Sequence, residues 1–194
     1  ALKSDLDEEK AVTKDTENHP ATFSPTMIAD FIKFFTKKNM KVLDPFVGIG
    51  TTLVACDRTG RKGIGVEINP KYLKIAQKRI TKKQIIMKGD SISLSKLKLP
   101  KIDFCISSPP YWKMLHKIDV NQKIRLKKGL DTKYSNQKND LGNIQDYEEF
   151  MEKLMLVYEQ VYNSLKPEKY MVIIVQNVIM GSVMIPFAWD LAIR

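Results

Sequence analysis

The stretch Lys41-Val42-Leu43-Asp44-Pro45-Phe46-Val47-Gly48-Ile49-Gly50-Thr51-Thr52 decides how this chain folds. A short apolar run ends in a carboxylate, a proline and two glycines make a turn, and Thr51 and Thr52 stand where hydroxyls can cap a helix over 51–58. That pattern is strand, turn, helix. Gly48 and Gly50 lack the Cβ that would keep a ligand away from the turn backbone. Asp44, at the strand end, can hold a cation such as an amino-acid ammonium group.

The same alternation continues outward from the turn. A strand is expected over 63–68, a helix over 70–80 opened by Pro70, and strands over 84–88 and 102–107. Upstream, Met27, Ile28, Phe31, Ile32, Phe34 and Phe35 recur at helical spacing after Pro25. Far downstream, a helix over 146–164 leads through Lys166-Pro167 to a strand over 170–176. Strands alternating with helices predict an α/β fold: a mostly parallel sheet with helices on both faces, and ligands at the carboxyl ends of the strands. Residues 1–18 form a polar arm rich in Asp and Glu, and 19–194 read as one domain. The stretch 113–143 has no period, and its seven Lys and Arg against three Asp give it a balance of +4.

Composition narrows the partners. The 194 residues are 43% hydrophobic and 28% charged, ordinary for a globular protein. Lys and Arg exceed Asp and Glu by 32 − 22 = +10, a surface field that favours phosphate and makes nucleic acid the natural partner. Lysine-rich surfaces also arise without any ligand. The two cysteines, Cys56 and Cys105, have neither CxxC spacing nor a nearby histidine, so neither a metal site nor a disulfide is expected, and the setting reads as reducing and cytoplasmic. The longest apolar run, 171–175, is far too short to span a bilayer.

The strand ends carry the candidate ligands. Glu67 follows Asp44 by roughly the 20 residues at which nucleotide-binding folds place a carboxylate on ribose hydroxyls. A dinucleotide is disfavoured, because Leu53 stands where a third glycine is needed and Asp44 would repel a pyrophosphate. A ligand with ribose and ammonium but no phosphate fits, and S-adenosylmethionine is one. Asp90, in Lys88-Gly89-Asp90-Ser91, ends the third strand and can accept a bond from the adenine amino group; alone it would read as a turn residue. Pro45, Phe46, Ile68 and Ser91 flank these positions.

The fourth strand runs straight into Ser108-Pro109-Pro110-Tyr111-Trp112. Elsewhere Ser-Pro-Pro is a stiff turn, but here it stands where an open parallel sheet puts its chemistry. An aromatic amine is a poor nucleophile while its lone pair is delocalised into the ring. The Ser108 hydroxyl and Pro109 carbonyl could accept the two amino hydrogens and favour a pyramidal nitrogen, with Pro110 holding them rigid. Tyr111 can stack on a base turned out of a duplex. Trp112 either assists or packs under the loop that follows.

From residue 19 to about 176 the sequence resembles the amino-methyltransferases of DNA. His19-Pro20-Ala21-Thr22-Phe23-Ser24-Pro25 resembles their segment that holds the methionine part of the cofactor, the 44–52 turn their cofactor loop, and Ser108-Pro109-Pro110-Tyr111 their catalytic tetrad. The resemblance implies a Rossmann-like fold, S-adenosylmethionine as cofactor, and Thr22, Phe23 and Ser24 among the residues that bind it. Serine in the first tetrad position resembles the enzymes of cytosine N4, whereas Asp or Asn there resembles those of adenine N6. A tRNA guanine-N2 enzyme or a non-catalytic module are the other readings. A 5-methylating enzyme would need a thiolate after the strand, and Cys105 lies inside it. Lys123, Arg125, Lys127 and Lys128 are the expected phosphate contacts, and a cognate restriction endonuclease is a possible companion. Where the family has a glycine pair before the fifth strand this chain has Glu168-Lys169. The family sheet has seven strands and only five are read here, so a missing C-terminal portion, a partner subunit or a homodimer through the fifth strand's edge is expected.

Overall fold

The computed structural model describes residues 23–112, 123, 124, 127, 135, 137 and 139–194. The polar arm, Thr22, Arg125, Lys128 and most of the basic stretch lie outside the described residues.

Helix α1 (Pro25–Phe35) begins where proline has no N–H to waste, and the Ser24 hydroxyl caps it by accepting from the Met27 N–H at 3.4 Å. Strand β1 (Lys41–Asp44), helix α2 (Thr51–Thr59), strand β2 (Lys62–Glu67), helix α3 (Pro70–Arg79) and strand β3 (Ile85–Lys88) follow in strict alternation. After a 3-10 turn at Ser91–Leu97 come β4 (Ile102–Ser107), the 18-residue α4 (Tyr147–Ser164) and β5 (Leu165–Ile173). The five strands pair in parallel in the order β3-β2-β1-β4-β5. The direction of winding reverses between β1 and β4, which opens a crevice at their carboxyl ends.

Successive residues of the central strands feed two cores, one per face. Val42, Phe104 and Ile106 pack with Ile28, Ile32, Ala55 and Cys56 from α1 and α2. Leu43 and Cys105 point the other way, toward Phe150, Leu154, Val157 and Val161 of α4. The 3.6-residue stripe on α4 is what closes this second face.

Three features depart from the sequence reading. First, α4 passes directly into β5, which starts at Leu165 instead of 170; Lys166-Pro167 lies within an irregular start whose register shifts between Ile102 and Phe104 and where Glu168 has φ 59°. Second, β6 (Val178–Met180) and β7 (Val183–Ile185) form an antiparallel hairpin, a separate two-stranded sheet turned by Gly181 at φ 64°. It precedes helix α5 (Phe187–Ile193) and does not extend the five-stranded sheet. Third, Thr51 and Thr52 cap nothing: Gly50 is the N-cap of α2, with left-handed backbone and no side-chain bond. The main sheet keeps five strands, and the outer edge of β5 has no partner strand among the described residues. Among those residues no helix is long and apolar enough to cross a membrane.

Candidate active site

The carboxyl ends of β1, β2, β3 and β4 surround one pocket. Its floor is the 44–52 turn. Val47 N–H donates to the Val66 carbonyl and Gly50 N–H to the Val47 carbonyl, while Arg79 reaches from α3 to the Ile49 carbonyl at 2.6 Å. Gly48, at φ 54°, lines the pocket and lets backbone face a ligand. Gly50 does not line it. A Cβ on Gly50 would stand 2.9 Å from the Cβ of Ala76, so this glycine admits helix α3 and not a ligand.

Asp44 is buried, and it is held by three donors: the Phe46 N–H at 3.0 Å and the Ser107 hydroxyl at 2.7 Å on one oxygen, and the Thr52 hydroxyl at 2.6 Å on the other. Thr52 therefore orients the carboxylate instead of capping α2. Burial raises the Asp44 pKa, with the three hydrogen bonds opposing it. Glu67 accepts from the Asn69 N–H at 2.7 Å and is buried too. Its carboxyl is pushed up to about 7 by burial, against the Asn69 and Gly48 N–H bonds and with help from the Asp140 and Asp44 charges. Asp90 is partly buried and caps the 3-10 turn through the Ile92 N–H at 2.9 Å. Ser91 beside it donates to the Pro45 carbonyl, which ties the β3 end to the floor.

Most of the expected cofactor residues meet here: Phe23, Asp44, Pro45, Phe46, Gly48, Thr51, Thr52, Glu67, Ile68, Asp90 and Ser91 all line the pocket. Ser24 does not, since its hydroxyl is spent on capping α1. Ser108, Pro109, Pro110 and Tyr111 form the opposite lip of the same pocket. The Tyr111 ring is buried edge-on to Phe187, with centroids 6.0 Å apart, and burial raises its phenol against hydrogen bonds from Ser108 and the Gln176 backbone. Trp112 does not line the pocket; its ring packs on Tyr147 of α4 with centroids 5.0 Å apart. Lys123 and Lys127 are exposed.

Eleven pocket residues are not among the site residues named from the sequence, and three of these, Asn139, Asp140 and Leu141, come from the end of the unpatterned stretch. Asp140 counted there only as a negative charge. The one available signal was the Asp-Leu-Gly-Asn run, a turn composition directly ahead of α4.

Chemically, Glu67 and Asp90 can accept from hydroxyl or amino groups, Asp44 can take a positive group, and Ser108, Pro109, Pro110 and Tyr111 share the pocket with them. Residues 3–78 match the N6/N4 methyltransferase family model, described as DNA methylase. The Type II methyltransferase M2.LlaDCHI of Lactococcus lactis subsp. cremoris is 43% identical over 76 residues, 37% of this chain and 28% of that protein. M.MjaII of Methanocaldococcus jannaschii is 30% identical over 178 residues, 87% of this chain and 31% of that protein. The chain belongs to the DNA amino-methyltransferase family. It spans under a third of the length of these two family members. Its fold is that of methyltransferases more widely: precorrin-6y C5,15-methyltransferase from Geobacter metallireducens superposes with a TM-score of 0.51 at 11% identity, covering 89% of this chain and 70% of that one. An rRNA methylase from Streptococcus thermophilus gives 0.50 at 12% identity, over 80% and 71%.

Proposed function

We propose that the chain methylates an exocyclic amino group of a DNA base, N4 of cytosine, with S-adenosylmethionine as donor. One observation carries the reading: Ser108-Pro109-Pro110-Tyr111 and the three strand-end carboxylates Asp44, Glu67 and Asp90 line a single pocket. The residues suit that cofactor. Asp44 and Phe23 line the pocket for the ammonium end, Glu67 keeps lone pairs beyond the Asn69 and Gly48 N–H groups for ribose hydroxyls, and Asp90 keeps one oxygen beyond its cap for the adenine amino group. Among the described residues the pocket lining includes no Lys, Arg or His to offset the charge between Asp44 and a pyrophosphate.

When bound, the cofactor's sulfonium supplies an electrophilic methyl. The chain's residues do the rest. The Ser108 hydroxyl and the Pro109 carbonyl accept the amino hydrogens, draw the nitrogen toward a pyramidal shape and aim its lone pair at the methyl carbon. Buried Pro109 cannot swing, so the acceptors need no reorganisation. Tyr111 is the residue that stacks on the flipped base. Nitrogen–carbon bond formation matches carbon–sulfur cleavage, and the surplus amino proton leaves to solvent.

Lys123, Arg125, Lys127 and Lys128 serve the phosphates, so replacing all four should flatten the salt dependence of DNA binding by roughly 0.9 per lost contact. A serine-first tetrad favours cytosine over adenine. The Type II names of the relatives extend the reading to modification beside a cognate endonuclease, and the open β5 edge to self-association. Incubation of duplex DNA with labelled cofactor, followed by nucleoside mass spectrometry, tests the proposal. N4-methylcytosine is the expected product; N6-methyladenine alone would reverse the base, and label in tRNA but not DNA would reject the substrate class.

A further inference from the structure

The pocket has a wall that no strand supplies. Asn139, Asp140 and Leu141 come from just ahead of α4, more than 70 residues after Glu67, and close the pocket beside it. Asp140 is buried, 5% exposed, and its carboxylate is the organising group of this turn. One oxygen accepts from the Gly142 N–H at 2.9 Å, and the other from the buried Ser135 hydroxyl. Asn143 adds bonds to the Ser135 and Gln137 carbonyls at 3.1 and 3.0 Å. Ser135 and Gln137 are thus tied to the 3-10 turn Leu141–Asn143 ahead of α4 through the side chains of Asp140 and Asn143. Leu141 is 3% exposed and joins the core beneath the sheet, so the turn cannot slide without opening that core.

We infer that the turn 139–141, positioned by Asp140, is a specificity element for the nucleoside end of the ligand. This deepens the proposed function and rests on it. Glu67 marks the ribose side of the proposed site, and the turn shares its pocket; of the two carboxylates whose charge is felt at Glu67, Asp140 comes ahead of Asp44. Asp140 acts through the turn and is a positioning residue. An amide can accept from Gly142 in the same way, so the role belongs to shape and hydrogen bonding, not to charge.

Calorimetric titration with two probes, S-adenosylhomocysteine and 5′-methylthioadenosine, tests this. The second keeps the nucleoside and lacks the amino acid. Asp140→Ala should weaken both by the same factor, about tenfold, as expected for loss of one organised buried contact, while Asp140→Asn stays within about threefold of wild type. Asp44→Asn, the control, should weaken S-adenosylhomocysteine and leave 5′-methylthioadenosine unchanged. If Asp140→Ala weakens only S-adenosylhomocysteine, or neither probe, the inference is overturned. Equal losses in Asp140→Asn and Asp140→Ala would overturn the positioning role. A wild-type chain that binds neither probe would instead reject the cofactor reading beneath it. Thermal melting in parallel separates misfolding from a local effect, and Ser135→Ala, which removes one donor to Asp140, should reproduce a smaller loss with both probes.

Discussion

Asp44 and Asp103 stand at opposite ends of neighbouring strands, and their surroundings send them in opposite directions. Asp103 opens β4. It holds Lys166 at 2.6 Å and the Lys41 N–H at 2.9 Å, and although burial works against it, these partners lower its pKa. Asp44 ends β1 among hydroxyls and one N–H, with no cation in its hydrogen-bond set, and its pKa is raised. Near the amino end of β2, Asp57 of α2 accepts from Thr81 and Gln84, and Arg61 donates to Thr36, so these charged groups are also engaged within the fold. At the carboxyl ends, buried carboxylates face a pocket. A buried acid without a cation costs stability, so the carboxyl ends are arranged for a ligand and the amino ends for the fold.

The largest effect should come from the lip of the pocket. Ser108→Ala removes an acceptor needed as the amine pyramidalises, and turnover should fall by about 10²–10³, the range for loss of one preorganised polar group. Binding of S-adenosylhomocysteine should stay within about threefold, since Ser108 is not assigned to the cofactor. A rate near wild type in a steady-state methyl-transfer assay would remove Ser108 from the mechanism.

Paired substitutions test the contrast itself. Asp44→Asn should weaken cofactor binding by about 1–3 kcal/mol and leave the melting temperature unchanged or raised, because a costly buried charge disappears. Asp103→Asn should do the reverse: about 1 kcal/mol of stability lost with the half-exposed Lys166 pair, and cofactor affinity unchanged. Calorimetric titration and denaturant melts on both variants check this. Loss of affinity in Asp103→Asn, or of stability alone in Asp44→Asn, would erase the division of labour.

Much of this division was legible in the sequence, because it depends on local punctuation. The glycine turn, Pro70, and carboxylates at the ends of apolar runs fixed the strand–helix alternation and placed Asp44, Glu67 and Asp90 together before any contact was known. What was not legible is long-range. Asp140 reaches the pocket only because α4 docks on the sheet, and nothing in its neighbourhood has a period. The hairpin at 178–185 has three-residue strands, too short to show alternation. Thr52 looked like a cap, and only the fold turns its hydroxyl toward Asp44. Gly50 was read as room for a ligand when its neighbour is Ala76, 26 positions away.

The finest test of the contrast is pH, acting on Glu67. Its carboxyl titrates near 7 in the folded chain, against an ordinary 4.5, with burial the main cause. Between those values the folded state holds a proton that the unfolded chain releases, so stability falls as pH rises and the full cost is reached above about 7. The gap corresponds to on the order of 3 kcal/mol. Glutamine at 67 mimics the protonated acid and should abolish that slope, so Glu67→Gln gains on the wild type from pH 5 to 8 in denaturant melts. Ligand binding should move the other way. Ribose hydroxyls are held best by the ionised carboxylate, so S-adenosylhomocysteine affinity in the wild type should rise with pH up to about 7 and then level, while Glu67→Gln binds weakly and with a flatter profile. The difference between the two profiles reports Glu67 together with its coupling to the Asp44 and Asp140 charges. If stability runs parallel in the two proteins from pH 5 to 8, Glu67 is not a strained acid, and the carboxyl ends of the strands are as electrostatically complete as the amino ends.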